Sequence, residues 1–319
     1  MFSAVDEHKN TDDQKSQTMK QMEEKPEQKQ VRGIIKQNEP MSLHTSWHAG
    51  GAARHYFEPA DLDDLSCYLA ALSSVEPVLW LGLGSNLLVR DGGFPGSVIA
   101  VNRLLNKLEI GPSGLVRVDA GVPCAKVAKM TARAGWSGAE FLAGIPGTMG
   151  GALAMNAGAH GGETWDIVTG VVVLDRTGAM TTRVRSEFRI GYRSVEMPAD
   201  EWFISAELQL QHDLEHQGEQ RIRELLERRA ATQPVGQPSC GSVFRNPPGD
   251  YAWRLIEASG LKGARRGDAC VSEKHANFII NLGDATANDI EQLIQQIQET
   301  VHRKFAVALV PEVRIVGIA

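Results

Sequence analysis

Apolar residues recur along the chain at spacings that predict both helices and strands. Four leucines are spaced by three and four residues from Leu62 to Leu72, which predicts a helix, and Asp61 can cap its start. The apolar run from Val78 to Leu81 predicts a buried strand. Val116 and Val118 then alternate with polar neighbours, which is typical of a half-buried strand. The pattern therefore indicates helices and strands within the same region.

The middle of the chain continues this mixture. Val127 and Met130 mark the apolar face of a second helix, which Gly135 closes. The segment from Val171 to Leu174 predicts another strand, and alternation from Trp202 to Leu210 predicts a longer one. Because helices and strands do not follow a regular βαβ repeat, the pattern favours an α+β fold.

The last third of the chain begins with a charged helix around Ile222, and the dipeptide Gln233-Pro234 is expected to end it. We therefore expect a boundary near residue 212. A clearer helix begins at Thr286, where Asp289 three residues later completes a capping box. A final strand is expected from Val313 to Val316. The apolar stripe of the capped helix comprises Ile290, Leu293, Ile294, Ile297 and Val301.

Length and composition limit the classes of protein to which the chain can belong. A chain of 319 residues predicts two or three domains. Its hydrophobic content of 42% and charged content of 23% are typical of globular proteins, and no apolar run approaches the roughly 18 residues of a membrane span. Residues 1–10 lack the basic and apolar regions of a signal peptide, so we expect a cytoplasmic protein without membrane insertion.

Charge and cysteine content argue against two further classes. A net charge of -6 gives no basic footprint for nucleic acid, so no nucleic-acid partner is expected. Residues 1–30 contain seven acids and five lysines with few apolar groups, which predicts a disordered tail, with a solvated helix as the alternative. The cysteines show no metal-ligand spacing, so no metal is expected; they are Cys67, Cys124, Cys240 and Cys270.

Two glycine-rich segments are the strongest chemical signal. The segment from Gly144 to Gly162 has seven glycines in 19 residues and no lysine or arginine. A second segment, GLGSNLLVRDGG, starts at Gly82 directly after the predicted strand. Glycines let the backbone approach a ligand and turn successive N–H groups toward phosphate oxygens. Two such loops suit a diphosphate, whereas a single loop more often serves only tight turns and packing.

The familiar nucleotide-binding fingerprints are absent. Gly82 and Gly84 lack a third glycine because Leu87 occupies its position, and no Walker sequence occurs. Ser242 lies in no G-x-S-x-G elbow, so a serine hydrolase is not favoured. Composition alone therefore leaves the phosphate ligand undetermined.

Six segments in order give the chain a resemblance to a known family. They are GLGSNLLV at 82–89, AGIPGTMGGALAMNAG at 143–158, GYR at 191–193, CGSVFRNP at 240–247, SEKHANFIIN at 272–281 and PEVRIVG at 311–317. Together they resemble the UDP-N-acetylenolpyruvoylglucosamine reductases, over about residues 43–317. The short stretch from Tyr192 to Trp202 is similar to the family form that lacks a substrate-covering insertion.

The resemblance implies a fold and a cofactor, and we expect the protein to be a monomer. The expected fold is α+β, with a two-subdomain FAD-binding fold of the vanillyl-alcohol-oxidase type followed by a smaller C-terminal α/β substrate domain. The expected boundaries are a tail at 1–30, an FAD domain at 31–211 split near 104, and a substrate domain at 212–319. The residues implied to line non-covalently bound FAD are Gly82, Gly84, Ser85, Asn86, Gly144, Pro146, Gly147, Gly150, Gly151 and Asn156. His44 and His48 are not expected to tether the flavin.

The implied reaction is the NADPH-dependent reduction of UDP-N-acetylglucosamine-enolpyruvate to UDP-N-acetylmuramate, a step in peptidoglycan precursor synthesis. Arg193 and Glu312 are implied to stabilise charge at the substrate carboxylate, and Ser242 is implied to donate the proton. Each residue also has an ordinary interpretation. Ser242 could be a turn residue, Arg193 a surface cation over an aromatic ring, and Glu312 a partner of Arg314.

Substrate contacts are expected from residues near these positions. Tyr192, Arg245, Asn246 and Lys274 are the candidates, the last three for the diphosphate. Two other functions stay open at this stage: a flavin oxidase of the same fold, and a non-catalytic flavin-binding or nucleotide-binding regulator. Oxygen reactivity would indicate the oxidase, and ligand binding without turnover would indicate the regulator.

Overall fold

The computed structural model of the protein describes residues 31–319, so the predicted tail at 1–30 lies outside the described residues. The first part of the described chain forms a four-stranded sheet in the order β1-β2-β5-β3. Strands β2 and β3 run parallel to β5, whereas β1 is antiparallel to β2. The elements are β1 (Ile34–Pro40), β2 (Ala52–Glu58), α1 (Leu62–Ala71), β3 (Val78–Leu81), β4 (Leu87–Val89) and β5 (Phe94–Ala100).

Local sequence explains why α1 and β3 form where they do. The carboxylate of Asp61 accepts a hydrogen bond from the backbone N–H of Asp64 at 2.9 Å, so the predicted cap is confirmed. Leu65 and Leu69 are fully buried on the inner face of the helix. Strand β3 has the predicted limits and leads directly into the first glycine loop.

The second part of the described chain is built around a five-stranded antiparallel sheet in the order β12-β11-β15-β7-β6. Short strand pairs and two helices surround it. The elements are β6 (Leu108–Ile110), β7 (Leu115–Asp119), α2 (Cys124–Arg133), β8 (Trp136–Ser137), α3 (Met149–Met155), β9 (Gly158–Ala159), β10 (Gly162–Glu163), β11 (Val168–Asp175), β12 (Met180–Val184), β13 (Arg189–Gly191), β14 (Ser194–Glu196), β15 (Glu201–Gln209) and β16 (Gln211–His212).

The buried face of α2 differs from the predicted one. Met130 was expected on the apolar face, but the residue is 42% exposed. The helix instead buries Val127, Ala128 and Thr131, which follow the three- and four-residue spacing of a single stripe. Gly135 ends this region with a φ of +80°, as a left-handed glycine after a helix does.

The third part of the described chain contains three helices and a small antiparallel sheet, β17-β18-β19. The second and third of these helices pack with the sheet, whereas the first packs against α2. The longest helix, α6, buries the predicted apolar stripe in this core. The elements are α4 (Gly218–Thr232), α5 (Ala252–Ala258), β17 (Arg265–Arg266), β18 (Ala269–Val271), β19 (Ile279–Asn281), α6 (Ala287–Phe305) and β20 (Arg314–Val316). Among residues 31–319 we find no helix long and apolar enough to cross a bilayer. The expected domain boundaries near 104 and 212 stay predictions.

The last strand returns to the first glycine loop and thereby positions the site. Strand β20 pairs in parallel with β4, so residues more than two hundred positions apart become neighbours. The backbone N–H of Arg314 donates to the carbonyl oxygen of Asn86 at 3.1 Å. The side-chain amide of Asn86 donates to the carbonyl oxygen of Glu312, also at 3.1 Å. The segment that carries Glu312 is therefore fixed against the first glycine loop.

Replacing Thr286 with alanine is expected to lower the free energy of unfolding by about 1 kcal/mol. The Thr286 hydroxyl accepts from the N–H of Asp289, whose carboxylate accepts from the N–H of Thr286, each at 3.0 Å. Thermal or denaturant unfolding measures the change. Thr300→Ala, farther along the same helix, is the control and should leave stability almost unchanged; an equal loss in both variants would contradict the capping role.

Candidate active site

A single large cavity of about 1000 Å³ brings together distant parts of the described chain. This volume lies at the upper end of the range for small-molecule sites. Most residues singled out from the sequence line its wall. They are Gly82, Gly84, Ser85, Asn86, Gly144, Pro146, Gly147, Gly150, Gly151, Tyr192, Arg193, Ser242, Arg245, Asn246 and Glu312.

Two residues singled out from the sequence do not line this cavity. Asn156 is only 1% exposed, because its side chain serves the surrounding backbone. Its amide donates to Glu163 at 2.7 Å and to the carbonyl of Gly191 at 3.1 Å, and its oxygen accepts from the N–H of Trp165. Lys274 instead directs its Nζ to the carbonyl oxygen of Ala230. Asn156 therefore shapes the loop without facing the cavity.

The glycines of the two loops serve different purposes. Gly84 has a φ of +61°, and a Cβ there would lie 2.0 Å from the carbonyl oxygen of His44. A Cβ at Gly150 would lie 2.9 Å from the Cβ of Ala120. At Gly151, by contrast, the nearest protein atom would be 3.9 Å away. Packing therefore explains Gly84 and Gly150, whereas Gly151 leaves space in the cavity.

Glu312 and Arg193 form a partly buried ion pair at the cavity wall. The Glu312 Oε1 and the Arg193 Nε lie 3.3 Å apart, although Nε is not aligned for a hydrogen bond. The Nη2 of Arg193 donates to the carbonyl oxygen of Gly158 at 2.6 Å, which fixes the guanidinium. Burial raises the pKa of Glu312, and the charges of Arg193 and Arg245 partly oppose this rise.

The contacts of Arg193 and Glu312 argue against a surface cation and a plain pair with Arg314. Within residues 31–319, Glu312 pairs with Arg193 and not with Arg314. The guanidinium carbon of Arg193 does lie over the Tyr192 ring, 5.2 Å from its centroid. The Arg193 side chain is nevertheless only 16% exposed, so it is not a surface cation. The structure therefore favours a role for both residues inside the cavity.

Backbone contacts place Ser242 in the same wall as Glu312. The N–H of Glu312 donates to the carbonyl of Val243 at 2.7 Å, and the N–H of Arg245 donates to the carbonyl of Val310 at 3.0 Å. The Ser242 hydroxyl lines the cavity and makes no side-chain hydrogen bond within the described residues, unlike a serine that caps a local turn. It is therefore available to a ligand.

The thiol of Cys240 lies near Ser242 but is held in its neutral form. Cys240 is buried and lines the cavity two residues before Ser242. Burial, and then the negative charge of Glu312, raise the pKa of this thiol well above its usual range. A thiolate nucleophile is therefore disfavoured at this position.

A further cation was missed by the sequence reasoning. Arg229, in the last turn of α4, lines the cavity, and burial lowers its pKa. Its Nε donates to the side chain of Gln233 at 3.1 Å, and within residues 31–319 no carboxylate lies within 4 Å. Burial, followed by the charges of Arg228 and Arg229, also lowers the pKa of His160. In the sequence, the adjacent Arg228 and Arg229 were the signal that could have indicated this cation.

The polar groups of the cavity are suited to anionic ligands. Arg229 and Arg245 both line the wall, and neither forms an ion pair in the described part of the chain. Partly buried cations without carboxylate partners favour binding of phosphate or carboxylate groups. No cluster of three or more metal-ligating side chains occurs among residues 31–319.

Comparisons with known proteins agree with this architecture. A family model described as an FAD binding domain matches residues 53–183, and one described as the UDP-N-acetylenolpyruvoylglucosamine reductase C-terminal domain matches residues 233–316. UDP-N-acetylenolpyruvoylglucosamine reductases from Methylococcus capsulatus and Nitrosococcus oceani are 56% and 55% identical to the chain. Each alignment covers 90% of this chain, with 95% and 96% of the relatives respectively.

A solved structure extends the similarity to three dimensions. The crystal structure of UDP-N-acetylenolpyruvylglucosamine reductase from Thermus caldophilus is 34% identical, with a TM-score of 0.76. The match covers 89% of this chain and 98% of that one. Together with the FAD-binding match, this confirms the predicted fold class: α+β, with an FAD-binding fold of the vanillyl-alcohol-oxidase type and a smaller C-terminal α/β domain.

Proposed function

Because the chain belongs to the UDP-N-acetylenolpyruvoylglucosamine reductase family, we propose that the cavity between its glycine loops and Glu312 is the active site. The protein is an FAD-dependent oxidoreductase that uses NADPH to reduce UDP-N-acetylglucosamine-enolpyruvate to UDP-N-acetylmuramate, in peptidoglycan precursor synthesis. One observation carries the assignment of its site: Arg193, Ser242 and Glu312, from three distant segments, line the same cavity as both glycine loops.

The glycine loops fit the cofactor. Neither Gly147 nor Gly151 has a protein atom within 3.2 Å of an added Cβ, so each leaves room at the wall. The loop from Gly144 to Gly162 has no lysine or arginine, so backbone N–H groups would hold the FAD diphosphate. When bound, FAD would supply the hydride transfer that connects NADPH with the substrate.

Arg193 and Glu312 bind and orient the enolpyruvyl carboxylate in this proposal. Hydride addition to the terminal carbon places negative charge on the adjacent carbon and on the carboxylate. Arg193 is fixed by Gly158 before the substrate arrives, so it can stabilise that charge without first reorganising. Burial raises the pKa of Glu312, so its carboxyl keeps a proton to higher pH than an ordinary glutamate does, and in that form it can donate a hydrogen bond to the substrate carboxylate.

Ser242 supplies the proton that completes the reduction. Its hydroxyl is free of side-chain hydrogen bonds in the described part of the chain and lies in the same wall as Glu312. It can therefore donate its proton to the carbon that bears the negative charge, and solvent then reprotonates the serine oxygen. Hydride and proton together add two hydrogens across the carbon–carbon double bond.

The substrate diphosphate needs cations that are free to bind it. We propose Arg245 and Asn246 for this role, as the sequence suggested, and add Arg229, which lines the cavity. Lys274 stays a prediction, since its Nζ would first have to leave the carbonyl of Ala230. We also propose Tyr192 as a substrate contact because its half-exposed ring lies at the wall beside Arg193.

The setting of the enzyme is a separate proposal. We propose a cytoplasmic monomer without a nucleic-acid partner. The location is supported by the co-substrates, because NADPH and a nucleotide sugar are too highly charged to cross a bilayer unaided. Sedimentation of the purified enzyme would test the oligomeric state.

Gly151→Ala is expected to weaken FAD binding by at least about tenfold without lowering the stability of the flavin-free protein. The new methyl group would occupy cavity space, and alanine favours a helix over glycine by up to about 1 kcal/mol. Titration of the flavin-free protein with FAD, followed by flavin fluorescence, measures the change. Gly236→Ala, outside the cavity, is the control for binding; unchanged FAD affinity in Gly151→Ala would count against FAD at this wall.

Turnover tests the function itself. NADPH oxidation should require UDP-N-acetylglucosamine-enolpyruvate, and mass spectrometry should show a product heavier by two hydrogens. NADPH oxidation driven only by oxygen would favour the oxidase. Binding of flavin and nucleotide without any product would favour the regulator.

A further inference from the structure

Arg193 lies in a tight turn whose backbone conformation is unusual for its residue type. Strands β13 and β14 pair Gly191 with Ser194, so Tyr192 and Arg193 form the turn between them. The φ of Arg193 is +53°, in the left-handed region that residues with a side chain rarely adopt. Such a conformation persists only where surrounding contacts stabilise it.

One buried side chain, that of Asn156, contacts this turn from the end of α3. Asn156 directly follows the last residue of the helix and is only 1% exposed. Its amide donates to the carbonyl oxygen of Gly191, two residues before Arg193, at 3.1 Å. Its own backbone carbonyl accepts from the Nη1 of Arg193 at 3.4 Å. Asn156 therefore holds both the backbone that leads to Arg193 and the guanidinium itself.

The Asn156 amide is in turn fixed by two further partners. Its Nδ2 donates to the Oε2 of Glu163 at 2.7 Å, and its Oδ1 accepts from the backbone N–H of Trp165 at 3.1 Å. Together with the bond to Gly191, both amide hydrogens and the amide oxygen have partners. The amide can therefore take only one orientation in this network.

The backbone conformation of Asn156 does not by itself explain the residue. Its φ of +46° is also left-handed, which asparagine tolerates. Glycine would meet that requirement without steric cost, but it would make none of the three side-chain hydrogen bonds. The amide network is thus a separate feature, and its far end is the turn that carries Arg193.

We propose that Asn156 is a positioning residue for Arg193, and that Glu163 fixes the amide that performs this task. The proposal rests on the proposed function, in which Arg193 binds the enolpyruvyl carboxylate. Asn156 does not line the cavity, so it acts on the substrate only through Arg193. Its loss should therefore affect only the half-reaction in which Arg193 meets the substrate.

Asn156→Gly tests the proposal, because glycine keeps the left-handed backbone and removes the amide. Anaerobic stopped-flow absorbance measures both half-reactions. Oxidation of the reduced flavin by UDP-N-acetylglucosamine-enolpyruvate should slow by about tenfold to a hundredfold, the effect of displacing a substrate-orienting group by about 1 Å. Reduction of the flavin by NADPH should stay near the wild-type rate, because no enolpyruvyl carboxylate takes part in that step.

A double variant shows whether the effect passes through Arg193. In an Arg193→Ala background, Asn156→Gly should cause no further slowing of flavin oxidation by the substrate, since the group that it positions is gone. If the losses of the two single variants multiply in the double variant, Asn156 acts independently of Arg193 and the positioning role is overturned.

Glu163 provides a second pair of variants that leave Asn156 in place. Glu163→Ala removes the acceptor that fixes the Asn156 amide, so it should slow flavin oxidation by the substrate by a smaller factor than Asn156→Gly. Glu163→Gln keeps an oxygen acceptor and should restore the wild-type rate. Equal rates in Glu163→Ala and Glu163→Gln would contradict the role of Glu163.

Asn281→Ala is the matched control, because Asn281 is also a buried asparagine, 3% exposed, but lies outside the cavity. Its amide donates to the carbonyl oxygen of Trp47 at 2.8 Å. The control should lower the free energy of unfolding and leave the ratio of the two half-reaction rates unchanged. The same behaviour in Asn156→Gly would reduce Asn156 to a structural residue, with the reductase assignment intact. If the substrate fails to oxidise the reduced flavin of the wild type, the proposed function itself is refuted.

Discussion

Ser242→Ala is expected to slow oxidation of the reduced flavin by UDP-N-acetylglucosamine-enolpyruvate by about a hundredfold to ten-thousandfold, as loss of a positioned general acid does. Reduction of the flavin by NADPH should stay near the wild-type rate, because that step needs no proton from Ser242. Anaerobic stopped-flow absorbance separates the two half-reactions. The difference between the two half-reactions is expected because the free Ser242 hydroxyl lies in the cavity wall and serves only the second one. The backbone hydrogen bond from Glu312 to Val243 keeps Ser242 close to Glu312.

Ser239→Ala provides the matched control for this experiment. The Ser239 hydroxyl donates to the carbonyl of Gln237 at 3.2 Å and does not line the cavity, so both half-reactions should keep their wild-type rates. Equal losses in the two half-reactions of Ser242→Ala would refute the proton-donor role. They would indicate instead that the alanine distorts the flavin site as a whole.

Glu312→Gln is expected to slow the same half-reaction by about tenfold to a hundredfold, at or below the lower end of the effect of losing one stabilising donor. Glutamine keeps the shape of the side chain and an N–H donor, so the loss should be smaller than that of Ser242→Ala. Flavin reduction by NADPH should again change little. If the substrate oxidises the reduced flavin of Glu312→Gln at the wild-type rate, Glu312 has no role in the reaction.

The pH dependence of this half-reaction gives a second test of Glu312. Burial raises the pKa of Glu312, so the protonated form persists to higher pH than in an ordinary glutamate. As the pH rises through this pKa, the carboxyl loses its proton, and the rate of flavin oxidation by substrate should fall in the wild type. Glutamine does not ionise, so the variant should lack this fall. If the rate of flavin oxidation also falls with rising pH in Glu312→Gln, another group causes the pH dependence.

Local sequence predicted those elements whose ends are fixed by neighbouring residues. The capping box of Thr286 and Asp289 marks the start of α6, and its hydrogen bonds are present in the structure. Strand β3 was found at its predicted limits because a short apolar run ends abruptly at Gly82. The predicted buried face of α2 was wrong at Met130, because an apolar residue at the margin of a stripe can face solvent.

Tertiary contacts decide what the sequence could not predict about the site. Arg229 enters the cavity only because α4 ends there, and Lys274 meets the carbonyl of Ala230 because of how α4 packs. The pairing of β4 with β20 joins segments more than two hundred residues apart, and no local pattern encodes it. Resemblance to a family supplied Arg193, Ser242 and Glu312 in advance, while their roles stay predictions until variants are measured.

The central claim is most directly tested by the flavin spectrum of the anaerobic enzyme. The purified protein should be yellow, NADPH should bleach the flavin, and added UDP-N-acetylglucosamine-enolpyruvate should rapidly restore the oxidised spectrum without oxygen. If the bleached flavin returns only when oxygen is admitted, the enzyme is an oxidase and the proposed reductase site is contradicted.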